Sequence, residues 1–361
     1  FTIGLHELNP DGTQRLDARG LPIETYGNAD VMALAKVFTG WSWAFPDNQL
    51  TDNRFRWGRP DYSAAGDTGI DLLKMRAYPG QHSQAEVVLF AGKPQAVVIP
   101  GSATPERRLQ LALDALFMHP NVGPFIGRQL IQQLVTSAPS PAYVARVAAA
   151  FADNGRGRRG DMAAVVRAVL LDTEARSAPA AGFGKLREPV LRVTQWMRAF
   201  GASSVSGEYM MAWELDPLAQ RVLRAPSVFG WFRPGHVPPG TDFATRGATA
   251  PEFQLVNEST TAAWVNRVEA MVGWGLGWNG SSTDVSATLA AQAQLAASGN
   301  LEALVQDLDV LLFAGRMSAA LRQDLLDAIA GVGGTDANSH TQRARIAVYV
   351  AMSSPEFLAQ R

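Results

Sequence analysis

The residues with the most chemical reach fall in two irregular stretches of the chain. Trp41 to Gly101 carries Trp41, Trp43, Arg54, Arg56, Trp57, Asp61 and His82, with Phe45, Tyr62, Tyr78, Arg59, Asp52, Asp67 and Asp71 among them. Pro226 to Gly240 carries Trp231, Arg233 and His236 between prolines and glycines. Aromatic faces stack on sugar rings, carboxylates from distant positions can act as an acid and base pair across a glycosidic bond, and guanidinium groups pair with carboxylate or sulfate. The mixture points to an acidic or sulfated polysaccharide. Trp41, Trp43, Arg54, Arg56, Trp57, Asp61, His82, Trp231, Arg233 and His236 are therefore the candidate substrate-binding residues. A structural reading competes with this one and is favoured for the first loop, where the rings would pin an irregular segment to the body of the protein.

Other chemistries find less support. The absence of cysteine removes disulfides, thiolate nucleophiles, iron–sulfur clusters and thiolate zinc sites. His6, His82, His119, His236 and His340 are scattered without metal-binding spacing, so no zinc is predicted. His119 precedes a helix-starting proline and reads as a capping or core residue. Gly40-Trp41-Ser42-Trp43-Ala44 lacks the small neighbours of a nucleophile elbow, and Gly92-Lys93 and Gly184-Lys185 lack the spacing of a phosphate loop. Asp11 and Asp17 offer oxygen ligands for calcium, but Asn9-Pro10-Asp11-Gly12 and Asp17-Ala18-Arg19-Gly20 read first as turns, and no cofactor is predicted. Arg156, Arg158 and Arg159, set between glycines, could grip phosphate or sulfate; a solvated loop is the favoured reading. The catalytic residues of any reaction are not specified by these patterns.

The elements that must position these loops are mostly helices. With 361 residues, 47% hydrophobic and 18% charged, the chain can bury a large core. Lys plus Arg number 32 against 33 for Asp plus Glu, so no net field attracts nucleic acid. No apolar run approaches the roughly 20 residues of a membrane span. Turn signals over residues 9–20 suggest a first hairpin, and Asn28-Ala29-Asp30 opens a helix with Val31, Leu34, Ala35 and Phe38 on its inner face. Val87–Phe90 and Ala96–Ile99 read as a second hairpin. Thr104, Pro120, Ser140 and Asp161 start four helices, Glu188-Pro189 opens another, and helical periodicity covers about 251–274, 284–298, 300–313, 318–330 and 340–352. Trp196, Trp213 and Trp264 sit in helical patterns and read as core. The expected fold is mainly α, a two-lobed multi-helix bundle with small β-hairpins in its N-terminal third. Its expected segments are 1–103, 104–176, 177–250 and 251–361. A faint echo between residues 169–176 and 350–357 suggests two degenerate helical repeats.

Five ordered motifs are similar to one bacterial family: Phe1-Thr2-Ile3-Gly4-Leu5, Phe38-Thr39-Gly40-Trp41, His119-Pro120 before Phe125-Ile126-Gly127-Arg128, Pro226-Ser227-Val228-Phe229-Gly230-Trp231, and Ser354-Pro355-Glu356-Phe357. The chain resembles the family called domain of unknown function 1800 from Phe1 to Phe357. The resemblance implies an exported, periplasmic or secreted, largely helical protein. It also implies a sulfatase-like partner of the family called domain of unknown function 1501. Members carry a helical region ahead of the segment matching Phe1-Thr2-Ile3-Gly4. The chain starts at Phe1 rather than Met, so a processed N-terminus is expected, with an upstream fragment of the same precursor as a second candidate partner. The leading expectation is recognition or processing of an extracellular polymer, and the alternative is a non-enzymatic scaffold or assembly subunit. An open apolar face near Phe1 or between lobes would favour the alternative.

Overall fold

The computed structural model describes residues 2–45, 50–57, 73–177 and 182–360. The protein is mainly α, with small antiparallel strand pairs. It divides into two compact units, Phe1–Leu130 with Ser140–Asp172, and Ile131–Pro139 with Thr173–Arg361.

In the first unit, the opening residues make isolated bridges rather than a regular hairpin: His6 with Glu24, Leu8 with Gln14, and Leu16 with Pro22. Each of three short segments pairs with the other two, so none extends into a ladder. The turns between them are held by carboxylates. Asp11 accepts the Thr13 hydroxyl at 2.6 Å and its N–H at 2.9 Å, while Asp17 accepts the N–H groups of Leu21 at 2.9 Å and Arg19 at 2.8 Å. These bonds hold both carboxyls below the usual range and commit them to turn geometry. Asn121 ties the assembly to the helical body, donating to the carbonyls of Ile3 and His6 and accepting the N–H of Leu8.

The helix Asn28–Phe38 forms where expected but turns a different face inward. Ala33 and Val37 are buried, whereas Val31 and Phe38 are about half exposed. Asp30 accepts the N–H of Phe90 at 2.6 Å, which rotates the Asp30–Ala33–Val37 side onto the strand Val87–Leu89. The small side chain of Ala33 permits that approach. Strands Val87–Leu89 and Val97–Ile99 pair with Val88 opposite Val98. Helices Pro105–Met118, Pro141–Ala152 and Met162–Leu171 start on the side-chain caps Thr104, Ser140 and Asp161, each worth about 1 kcal/mol. Helix Val122–Leu134 follows His119-Pro120.

The second unit has one large apolar core around Trp196, Trp264, Leu304, Leu308, Val348, Met352 and Phe357. Helices Glu258–Gly273 and Ala337–Ser353 meet there, and the Trp264 indole donates to the Met352 carbonyl at 3.1 Å. Trp196 and Trp264 are core residues as expected. Trp213 is not: it lies 68% exposed in a four-residue helix, with the Arg221 guanidinium 4.2 Å over its ring. The expected 284–298 helix is shorter, Ala290–Ala297, because Thr283–Ser286 is the central strand of a three-stranded sheet flanked by Ser203–Ser204 and Leu276–Trp278. Helix Leu301–Leu308 runs into a π-helical turn, Asp309–Phe313.

Candidate functional site

The first aromatic loop is anchored from inside. Trp41–Ser42 pairs with Arg76–Ala77, and the Tyr78 hydroxyl donates to the Trp43 carbonyl at 2.6 Å while accepting the Phe45 N–H at 3.2 Å. Phe45 and Tyr78 are buried, and the Arg54 guanidinium lies 4.7 Å over the Phe45 ring. Trp41 is half-buried with its indole N–H sealed and without a partner among the described residues. His82 is buried. Its Nδ1 lies 2.7 Å from the Thr39 carbonyl and must donate to it, while Nε2 is sealed and without a partner among the described residues. Gly40 permits this fold-back: a Cβ there would stand 2.8 Å from the His82 backbone nitrogen, and its φ is +74°. Trp43 keeps 39% exposure. Arg56 and Trp57 end the short helix Asp52–Trp57, and their side chains lie outside what is described, as does Asp61. The structure thus brings Trp43, Arg54 and His82 to one anchored loop through Phe45, Tyr78 and Thr39.

Trp231, Arg233 and His236 lie in the second unit. The segment carrying them has no regular element, only a bridge between Ser227 and Gly230. Arg233 is exposed, with its N–H on the Gln254 side chain, and His236 is half-buried, with its carbonyl accepting from Ala250. Trp231 has a sealed indole N–H without a partner among the described residues. A buried polar cluster clamps this segment. Lys185 lies 3.3 Å from Glu252 and 3.8 Å from Glu188, and donates to the carbonyls of Gln132 and Gln133. Glu188 accepts Gln133 and Gln220, Glu252 accepts the Ser137 hydroxyl, and Gln132 donates to the Pro234 carbonyl at 3.0 Å. Both carboxylates are thus paired with Lys185 and hydrogen-bonded within the cluster, and Gln132 joins it to the loop.

The open chemistry lies elsewhere in the second unit. A groove of about 420 Å³ is lined by Met271, Trp274, Ser286, Thr288, Thr341 and Arg345, among others. Trp274 is 63% exposed, and Arg345 is fixed by a hydrogen bond to the Gly273 carbonyl at 3.2 Å. Trp278, 68% exposed, ends the neighbouring strand. The sheet edge is set by Glu214, which accepts the Gly277 N–H at 2.9 Å and pairs with Arg267, bringing the helix of Trp213 beside it. The sequence reading missed these residues because Trp274-Gly275-Leu276-Gly277-Trp278 falls between helices. The signal was the glycine spacing: Gly275 has φ +100°, and a Cβ there would stand 2.3 Å from the Val285 carbonyl oxygen. A larger groove of about 530 Å³ in the first unit has its acids committed, Asp172 to Arg146 and Asp153 to the N–H groups of Gly155 and Gly157. Among the described residues, no three His, Asp or Glu are grouped to hold a metal ion, and no helix is long and apolar enough to cross a membrane.

Comparison with known families adds one result. Residues 1–359 match the family described as Protein of unknown function (DUF1800). The chain belongs to this family. Within DUF1800 the match covers nearly the whole chain, so the anchored loop, the clamp and the groove all lie inside the family's domain. Comparisons with curated proteins and with solved structures found no match.

Proposed function

We propose that this DUF1800 protein is an exported, periplasmic or secreted bacterial protein that recognises a polysaccharide, and that the Trp274 groove is its main contact surface. One observation carries the reading: a groove of ligand size combines an exposed indole face with hydroxyls of Ser286, Thr288 and Thr341 and the fixed guanidinium of Arg345. An indole left 63% exposed forfeits much of its burial energy, and a sugar face restores it on binding. Among the described lining residues there is no carboxylate, so the reading is recognition rather than hydrolysis. Trp43, at the rim of the anchored loop, is a second contact within the first unit. Screening the purified protein on an array of bacterial and plant polysaccharides tests the reading. Saturable binding to at least one polymer is expected; uniform background across the array contradicts it.

A second reading, a non-enzymatic assembly subunit docking a sulfatase-like partner, is favoured by the exposed Leu5, Leu16 and Leu21 of the opening meander. Co-purification with that partner, lost in a Leu16→Asp, Leu21→Asp variant, would support it over polymer binding.

A further inference from the structure

Two arginines of the second unit are desolvated without an anion to hold among the described residues. Arg187 follows the strand pair Lys185–Leu186 with Ala359–Gln360, its N–H on the Leu358 carbonyl, and Arg192 lies in the first turn of helix Pro189–Ala199. Arg192 is only 6% exposed, sits 5.2 Å over the Trp264 ring and donates Nε to the Arg187 carbonyl at 2.6 Å. Arg187 sits 4.6 Å over the Phe357 ring, and its Nη1 is sealed from solvent with no acceptor among the described residues. The two rings are nearly parallel, 9° apart with centroids 6.2 Å apart, so both cations lie against one pair of stacked rings.

Among the described residues neither guanidinium has a carboxylate partner. The acids next in sequence are committed elsewhere, Glu188 to Lys185, Gln133 and Gln220, and Glu356 to the N–H and hydroxyl of Ser318. A third cation, Arg316, follows the left-handed turn Ala314-Gly315 that closes the π-helical segment, and it is exposed. Burial, and then the neighbouring positive charge, lowers Arg187 to about 10 and Arg192 to about 10, the neighbours being Arg316 and Arg187 respectively. Cation–π contact with the rings compensates only part of the lost hydration. Arg187 is partly exposed and Arg316 exposed, which leaves this cluster of charge open to a small anion from their side.

We propose that Arg187, Arg192 and Arg316 form a binding site for an oxyanion, a sulfate or phosphate group. A planar carboxylate fills one guanidinium fork, whereas a tetrahedral group offers oxygens in several directions and suits a cluster of neighbouring cations. The group is either the free inorganic ion or an ester carried on a larger ligand.

Titration calorimetry on the full chain, with sodium sulfate and sodium phosphate against chloride at matched ionic strength, tests this. Saturable binding of sulfate or phosphate at one site is expected, weakened roughly tenfold or more in Arg187→Gln and about fivefold in Arg316→Gln. Arg316 is exposed, so Arg316→Gln should keep its fold and its anion-free melting temperature even if Arg187→Gln does not. Competition by a sulfated but not a desulfated oligosaccharide assigns the group to a polymer ester; binding of the inorganic ion without such competition assigns it to the free ion. Either upholds the site. No saturable heat beyond chloride, or equal affinity in wild type and Arg316→Gln, overturns it.

Discussion

Arg159 in the first unit and Arg187 in the second both lie over aromatic rings, yet one has its donors used and the other has them idle. Arg159 is 5.6 Å over Phe117 and 4.9 Å over Phe151, and it donates to the carbonyls of Phe117 and His119 at the end of helix Pro105–Met118. It completes a helix C-terminus, where backbone carbonyls need donors and positive charge is favourable. Gly160 makes room for it, since a Cβ there would stand 2.5 Å from the Phe117 ring. Arg187 has its ring but, among the described residues, no acceptor for Nη1. The difference teaches that a run of arginines in sequence, such as Arg156, Arg158 and Arg159, is a weaker sign of an anion site than cations scattered along the chain whose donors are left over after folding.

The comparison can be broken by removing each cation in turn. The largest effect is expected at Lys185, which compensates two buried carboxylates: Lys185→Met should lose about 3–5 kcal/mol in urea unfolding at pH 7. Arg159→Met should lose about 1–2 kcal/mol in the same measurement, because two carbonyls lose their donor. Arg187→Met should change stability by less than about 1 kcal/mol, or raise it, when sulfate and phosphate are absent, since an apolar side chain on the Phe357 ring replaces an uncompensated cation. If Arg187→Met proved as costly as Lys185→Met, the contrast between used and idle cations would fail.

A smaller effect sharpens the electrostatics of the first unit. His119 is buried, with Nδ1 accepting the Asn121 N–H at 3.1 Å, and burial lowers its pKa below the ordinary histidine value. Glu7 opposes that shift, while Lys93 and Arg159 reinforce it. The folded state therefore prefers the neutral ring, and the unfolded chain takes up the proton first as pH falls. Stability is fully present above the unfolded value, about 6.5, and declines as pH drops below it toward the lower folded value. Urea midpoints between pH 7 and pH 5 should fall less steeply in His119→Gln than in the wild type; equal slopes would remove His119 from this role.

Where a local rule decides the structure, the sequence was informative. Thr104, Ser140 and Asp161 cap the helices they were expected to start, and the Val87–Leu89 and Val97–Ile99 hairpin follows from alternation around a Gly-Lys-Pro turn. The end-of-unit echo has a local counterpart too: helices Met162–Leu171 and Ala337–Ser353 each give way to a four-residue helix, after the cap residues Asp172 and Ser354. Tertiary contacts decided the rest. Asp30 turned its helix by bonding to Phe90, 60 residues away, against a face pattern that pointed to Val31 and Phe38. Trp213 has a helical spacing typical of core yet is exposed, because Leu215 and Leu218 fill the core beneath it. The candidate site was legible as a composition, tryptophan with arginine in irregular backbone, but not as a place. The open groove needed the glycine-rich segment around Trp274 to be seen as a sheet edge, which only the pairing of Leu276 with Val285 establishes.

The most direct test of polymer recognition through the second unit is the dissociation constant for one array-positive polysaccharide, measured on wild type, Trp274→Ala and Trp43→Ala. Stacking on a single exposed ring is worth roughly 0.5–1.5 kcal/mol beyond area burial. Trp274→Ala should therefore weaken binding by about tenfold or more, counting the lost contact area, and Trp43→Ala by less. Unchanged affinity in Trp274→Ala, with folding intact by its melting temperature, would contradict the assignment of the groove.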